Sequence, residues 1–135
     1  MIAALPLLAL PVLVYNLIVL PAGPDGLEIG LFTVHMASGA DWRVTVGDLL
    51  LAASLVVLFA ELLKSANSRR AAIVNHGLSM LLFIACLVEL LLHPAFATSV
   101  FFLITLMVLL DVLAGFIVTI LAARRDVDFG AGVGL

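Results

Sequence analysis

Charge is scarce in this chain. Its 135 residues hold six lysines and arginines and nine aspartates and glutamates, against a hydrophobic share of 65% and a mean hydropathy of +1.36. A soluble domain carries about 45–50% apolar residues, so water is not the solvent for most of this sequence. The few charges sit mainly in Asp25–Asp48, Glu61–Arg70 and Arg124–Asp128, and the runs between are almost free of them. A net charge of −3 gives no basic footprint of the kind that phosphate backbones attract, which argues against nucleic acid as a partner.

Cysteine is scarcer still. The lone Cys86 lies in an apolar run, so no intrachain disulfide and no cysteine cluster for zinc or iron–sulfur can form, and the thiol reads as buried and inert. A nucleophile constellation is missing as well: Ser38, Ser79 and Ser99 have no His and acid beside them in a recognised pattern, and no glycine loop suits a phosphate. The expectation is that the chain is not an enzyme. Nor does any Lys or Arg precede the apolar stretch Met1–Leu20, which is longer than the roughly 7–15 residues of a secretory h-region. That stretch is expected to be a retained helix.

What is present is apolar length. The sequence predicts an all-α integral membrane bundle of four transmembrane helices in one domain, over about residues 2–20, 48–63, 71–93 and 95–123. Each is close to the roughly 20 residues that cross a hydrocarbon core of about 30 Å. Pro11 is expected to kink the first helix, Pro6 to sit in its first turn and Pro21–Gly26 to end it. Ser68 can cap the third helix and Pro94 can open the fourth, and the short loop between these two makes them antiparallel neighbours. The tail 124–135 has no packing pattern and is expected to be disordered unless a partner holds it.

The external connection 21–47 is read as a short β-hairpin, because Leu31–Met36 and Trp42–Val46 are rich in β-branched and aromatic residues around a Ser38–Asp41 turn. The competing reading is an interfacial helix using Ile29, Phe32 and Met36. In either form Trp42 is the interface anchor at headgroup depth. Lys64, Arg69 and Arg70 follow the second helix, Arg124 and Arg125 follow the fourth, and Arg43 alone lies in the first connection. The positive-inside rule then puts both termini in the cytoplasm of a bacterial inner membrane.

Ionisable groups at membrane depth are costly and by default face protein or a cavity. On the third helix Asn75, Ser79, Cys86, Glu89 and His93 fall within about 40° of one direction, a polar stripe on an otherwise apolar segment. Asp111, Gly115 and Ala122 share a face of the fourth helix, with Thr119 at its edge, so Asp111 points at protein. Its carboxyl is expected to be protonated or bonded to Ser79 or Asn75. Glu61 and His76 come out at similar depth and can pair, and Glu89 with His93 has the i,i+4 spacing of a helix-end pair.

Sharper uses of these groups are weak. Glu89 and His93 are too few for a metal site, and none is assigned. His76 and His93 are weak candidates for a haem or pigment, since about 25 Å along one helix keeps them from sharing one group, and His35 meets His93 only if the connection folds over. A carboxylate relay through Glu61, Asp111 and Glu89 would make an ion path only on converging faces.

Ser38-Gly-Ala-Asp-Trp42, Gly47-Asp-Leu-Leu50, Glu61-Leu-Leu-Lys64, Asn75-His-Gly-Leu-Ser79 and Asp111-Val-Leu-Ala-Gly-Phe116 together cover most of the chain after Gly26. In these stretches it resembles a group of small, largely uncharacterised four-helix membrane proteins of alphaproteobacteria. The resemblance implies a membrane location and a lineage, with a marine or phototrophic source conceivable, and no reaction. The leading expectation is a non-catalytic accessory subunit of a larger energy-transducing complex, photosynthetic light-harvesting or respiratory. Its partners would be other transmembrane subunits and lipids, with Phe101 and Phe102 against pigment-binding helices and any pigment or haem of the partner touched only peripherally. The alternatives are a small proton or solute transporter using Glu89 and Asp111, and a haem or pigment carrier.

Overall fold

The computed structural model describes residues 5–65 and 69–131, with side chains for 5–64, 74–121 and 124. Helix α1 spans Ala9–Ala22. It starts later than about residue 2 because Pro11 occupies its first turn, where a missing N–H breaks no helical hydrogen bond, so no kink arises there. Pro21 lies inside the last turn instead of ending the helix. Termination falls to Gly23, whose φ of +72° favours glycine and whose N–H bonds the Val19 carbonyl at 2.9 Å. A 3₁₀ turn, Pro24–Leu27, then buries Gly26 and Leu27.

The connection is the hairpin. Strand β1 (Gly30–His35) pairs antiparallel with β2 (Asp41–Thr45), with an irregularity between Gly30 and Phe32. Gly39 turns the chain at φ +85°, and the Met36 N–H bonds the Ala40 carbonyl at 2.9 Å. The helical alternative loses because strand alternation separates the apolar and polar side chains of both arms. With no residue between, β2 passes into α2 (Val46–Ser65). Thr45 and Asp48 form a reciprocal cap, the Asp48 N–H bonding Thr45 Oγ1 at 3.2 Å and the Thr45 N–H bonding Asp48 Oδ2 at 2.9 Å.

Helix α3 runs Arg69–Leu92, and the expected Ser68 cap lies outside the described residues. Next, His93 is extended (φ −111°, ψ 115°) because the residue before a proline is pushed out of the helical region. Pro94 opens a 3₁₀ turn, Pro94–Phe96, and helix α4 starts only at Ser99. This turn carries Phe96 into the core against Tyr15 and Phe101, with ring centroids 5.3 and 4.9 Å away, so of the two residues expected to face a partner Phe101 is instead fully buried and Phe102 alone is exposed. Tyr15 is fully buried, and its hydroxyl sits 2.6 Å from Thr98 Oγ1, joining α1 to the α3–α4 turn. Helix α4 continues to Ala131, so most of the expected disordered tail is helical, and its last residues lie outside the description.

Helix α4 is the hub, packing against α3 and α2 and more lightly against α1. Among the described residues three helices, not four, are long and apolar enough to cross a membrane, over Val46–Lys64, Val74–Leu92 and Ser99–Leu121. The first helix falls short because its 14 residues rise only about 21 Å.

Candidate functional site

Of the ionisable groups within the apolar helices, Glu61, Lys64, His76 and Asp111 gather in the half of the bundle around the end of α2, and Glu89 stands apart from them. Glu61 is fully buried about one turn from that end. Its Oε1 accepts from Asn75 Nδ2 of α3 at 2.6 Å and lies 3.0 Å from Lys64 Nζ, and its Oε2 accepts from the Leu7 N–H at 2.6 Å. Lys64 Nζ also donates to the Leu5 carbonyl at 2.7 Å and to Asn75 Oδ1 at 3.2 Å. An ammonium has three donors, and here each has an oxygen. The cluster ties three parts of the chain together and gives an acceptor to the Leu7 amide, one of the backbone groups at the entry to α1 that no helical bond satisfies.

One turn further along α3, Ser79 Oγ donates to Asp111 Oδ2 of α4 at 2.6 Å, and both residues are buried. Between these two ties stands His76. Its ring meets Phe116 edge-on at 4.6 Å, and a Cβ added to Gly115 would overlap it. Gly115 is thus the gap on α4 into which His76 fits. Among the described residues the His76 Nδ1 is the one buried side-chain nitrogen or oxygen with no hydrogen-bond partner. The expected Glu61–His76 pair is therefore not formed. Asn75 takes the Glu61 side, and His76, about 100° further round the helix, faces α4.

The far end of α3 is arranged differently. Glu89 accepts from Asn16 Nδ2 of α1 at 3.4 Å, and His93 Nδ1 accepts from the Ala95 N–H at 3.3 Å. The expected side-chain pair between Glu89 and His93 is not formed: the His93 N–H keeps its helical bond to the Glu89 carbonyl at 3.0 Å, but the ring turns forward to the Ala95 N–H and the Glu89 carboxylate is bonded to Asn16. With Nδ1 turned to the Ala95 N–H, Nε2 is the ring nitrogen of His93 left without a bond among the described residues. His76 directs its Nδ1 against Gly115, and the third histidine, His35, is engaged by Asp41 at 2.6 Å. Among the described residues no three His, Cys, Asp or Glu side chains come close enough to hold a metal ion.

Glu89 and Asp111, the two carboxylates of the transporter reading, are bonded to different helices at heights about 15 Å apart, the rise between Ser79 and Glu89. Cys86 of the polar stripe lies between, fully buried among apolar side chains. Asn16, the Tyr15–Thr98 contact and the polar role of Lys64 are not singled out by the sequence pattern, although the i,i+3 spacing of Glu61 and Lys64 is a usable signal for the last of these. Compared with known protein families, curated proteins and solved structures, the chain has no match.

Proposed function

We propose that the chain is a non-catalytic accessory or structural subunit, seated laterally against the transmembrane subunits of a larger energy-transducing complex of photosynthetic light-harvesting or respiratory kind. The observation that supports this is how its intramembrane ionisable groups are used. Glu61, Lys64 and Asp111 each bond to a second helix or to the segment entering α1, so groups that would mark a reaction or an ion path hold the bundle together. Outward surfaces such as Val56, Phe59, Leu81, Ile84 and Ile117 are apolar and exposed, which suits lipid and other helices. A pigment or haem of the partner would meet this surface without a ligand from the chain.

The test is extraction of tagged chain from native membranes in mild detergent, followed by a native gel, an absorption spectrum and mass spectrometry of what comigrates. Stoichiometric recovery in a large coloured or respiratory assembly is expected. Recovery as a lone small oligomer would overturn the assignment and turn attention to transport.

The same reading includes four crossings of a bacterial inner membrane with both termini cytoplasmic. Although α1 is short, the Leu5 carbonyl is held by Lys64 in the last turn of α2, and Leu27 beyond the other end of α1 lies against Gly47 in the first turn of α2. Residues 5–27 thus reach from one end of α2 to the other. Lys64 and the arginines at 69, 70, 124 and 125 fall at one side in this arrangement, as positive-inside requires. In intact spheroplasts an impermeant maleimide is expected to label Ser38→Cys, and to label Arg124→Cys only after permeabilisation, with buried Cys86 silent. Labelling of Arg124→Cys from outside would refute this orientation.

A further inference from the structure

The hairpin sorts its side chains by chemistry. Cross-strand partners share a face, so Phe32 with Val44 and Val34 with Trp42 lie on one side, and Thr33 with Arg43 and His35 with Asp41 on the other. The polar side is internally engaged. His35 Nδ1 is 2.6 Å from Asp41 Oδ1, and the Arg43 guanidinium lies back across Gly30, where a Cβ would overlap it. The apolar side is not: Phe32 and Trp42 are 54% and 51% exposed, and Met36, continuing the alternation, is 43% exposed. Val44, at the base of the same face, is buried.

Two features indicate what covers the rest. Val44 at the base of this face is buried and β2 packs against α2, so the base adjoins the bundle while Phe32, Val34, Met36 and Trp42 further out on the same face are left uncovered. The junction is also rigid. Strand β2 enters α2 without a spacer, the Thr45–Asp48 cap locks the first turn, and the Val46 N–H bonds the Ile29 carbonyl at 3.0 Å. The ribbon therefore leaves the bundle where the apolar stretch of α2 begins and cannot swing back to bury its own face. Beside the helices at that level is the boundary between lipid headgroups and acyl chains.

We infer that the hairpin lies on the bilayer surface, with Phe32, Val34, Met36 and Trp42 inserted at the headgroup–acyl boundary and Thr33, His35, Asp41 and Arg43 in water. Asp25, Glu28 and Asp41 outnumber Arg43 in the connection, so binding rests on apolar area and the amphipathic indole and needs no anionic lipid. This holds whether or not the chain joins a larger complex.

Trp42 is the sole tryptophan, so its fluorescence reports the hairpin directly. The full chain is reconstituted in phosphatidylcholine vesicles carrying bromines near the glycerol or near the acyl terminus. Blue-shifted emission is expected, quenched more by the shallow bromines than by the deep ones and little by aqueous iodide. In a Trp42→Phe background, Thr33→Trp on the other face is expected to show the reverse, iodide quenching and little effect of bromine. Equal iodide quenching at both positions would overturn the inference. So would a Trp42 that is exposed in these vesicles and shielded only in native membranes, because a protein and not lipid would then cover the face.

Discussion

Replacing Glu61 with leucine is expected to destabilise the fold by about 3–5 kcal/mol, the size typical of removing one partner of a buried ion pair. Three donors lose an acceptor at once: the Leu7 amide, the Asn75 side-chain amide and the Lys64 ammonium. The ammonium keeps only the Leu5 carbonyl and Asn75 Oδ1, with no anion bonded to it. Lys64→Met should also be harmful, since it leaves a buried carboxylate held only by the neutral donors of Leu7 and Asn75. The informative variant is the double one. With Glu61→Leu and Lys64→Met together no buried charge is left uncompensated, and replacing such a pair with apolar groups is often close to neutral. The double variant is thus expected to be more stable than Glu61→Leu alone, measured by reversible unfolding in mixed detergent micelles. Should the two losses simply add, the pair would not be coupled and the cluster would not be the tie described above.

This cluster also marks how far the sequence could be read. Apolar length and the scarcity of charge were enough to locate α2, α3 and α4 to within a few residues at most ends, because a span's length is dictated by bilayer thickness. The hairpin was legible for a similar reason, as the β-branched and aromatic arms flank a turn containing Gly39. Partner choice among the polar groups was not. Depth along a helix puts Glu61 level with both Asn75 and His76, and only the rotation of α3 about its axis decides between them. The rotation is set by packing against α4, where Gly115 leaves a gap shaped for an imidazole. A proline hid the other feature. Taking Pro94 to open a helix over 95–123 misses that it starts a 3₁₀ turn, which carries Phe96 inward and offers the His93 ring the Ala95 N–H in place of the Glu89 carboxylate.

The fit of His76 to Gly115 leads to an expected change of sign. Glycine inside a helix is less favourable than alanine by about 0.5–1 kcal/mol, so Gly115→Ala would stabilise α4 if nothing stood beside it. Here the new methyl would overlap Nδ1 of His76 and crowd its Cγ, and the ring, with few torsions to adjust, cannot move aside without disturbing its edge-on contact with Phe116. Overpacking of this kind costs about 1–3 kcal/mol, which outweighs the gain in helix propensity, so Gly115→Ala is expected to be destabilising.

In a His76→Ala background the same substitution should become stabilising, because only the propensity gain remains. His76→Ala by itself is expected to be nearly neutral. It loses an aromatic contact worth about 0.5–1.5 kcal/mol and relieves a buried, unpartnered nitrogen whose penalty is about 1–3 kcal/mol. A double-mutant cycle in the same micelles should therefore give a coupling above about 1 kcal/mol, with the paired variant more stable than the sum of the singles predicts. Additive effects would mean that His76 and Gly115 do not meet, and the α3–α4 register that also brings Ser79 to Asp111 would have to be redrawn.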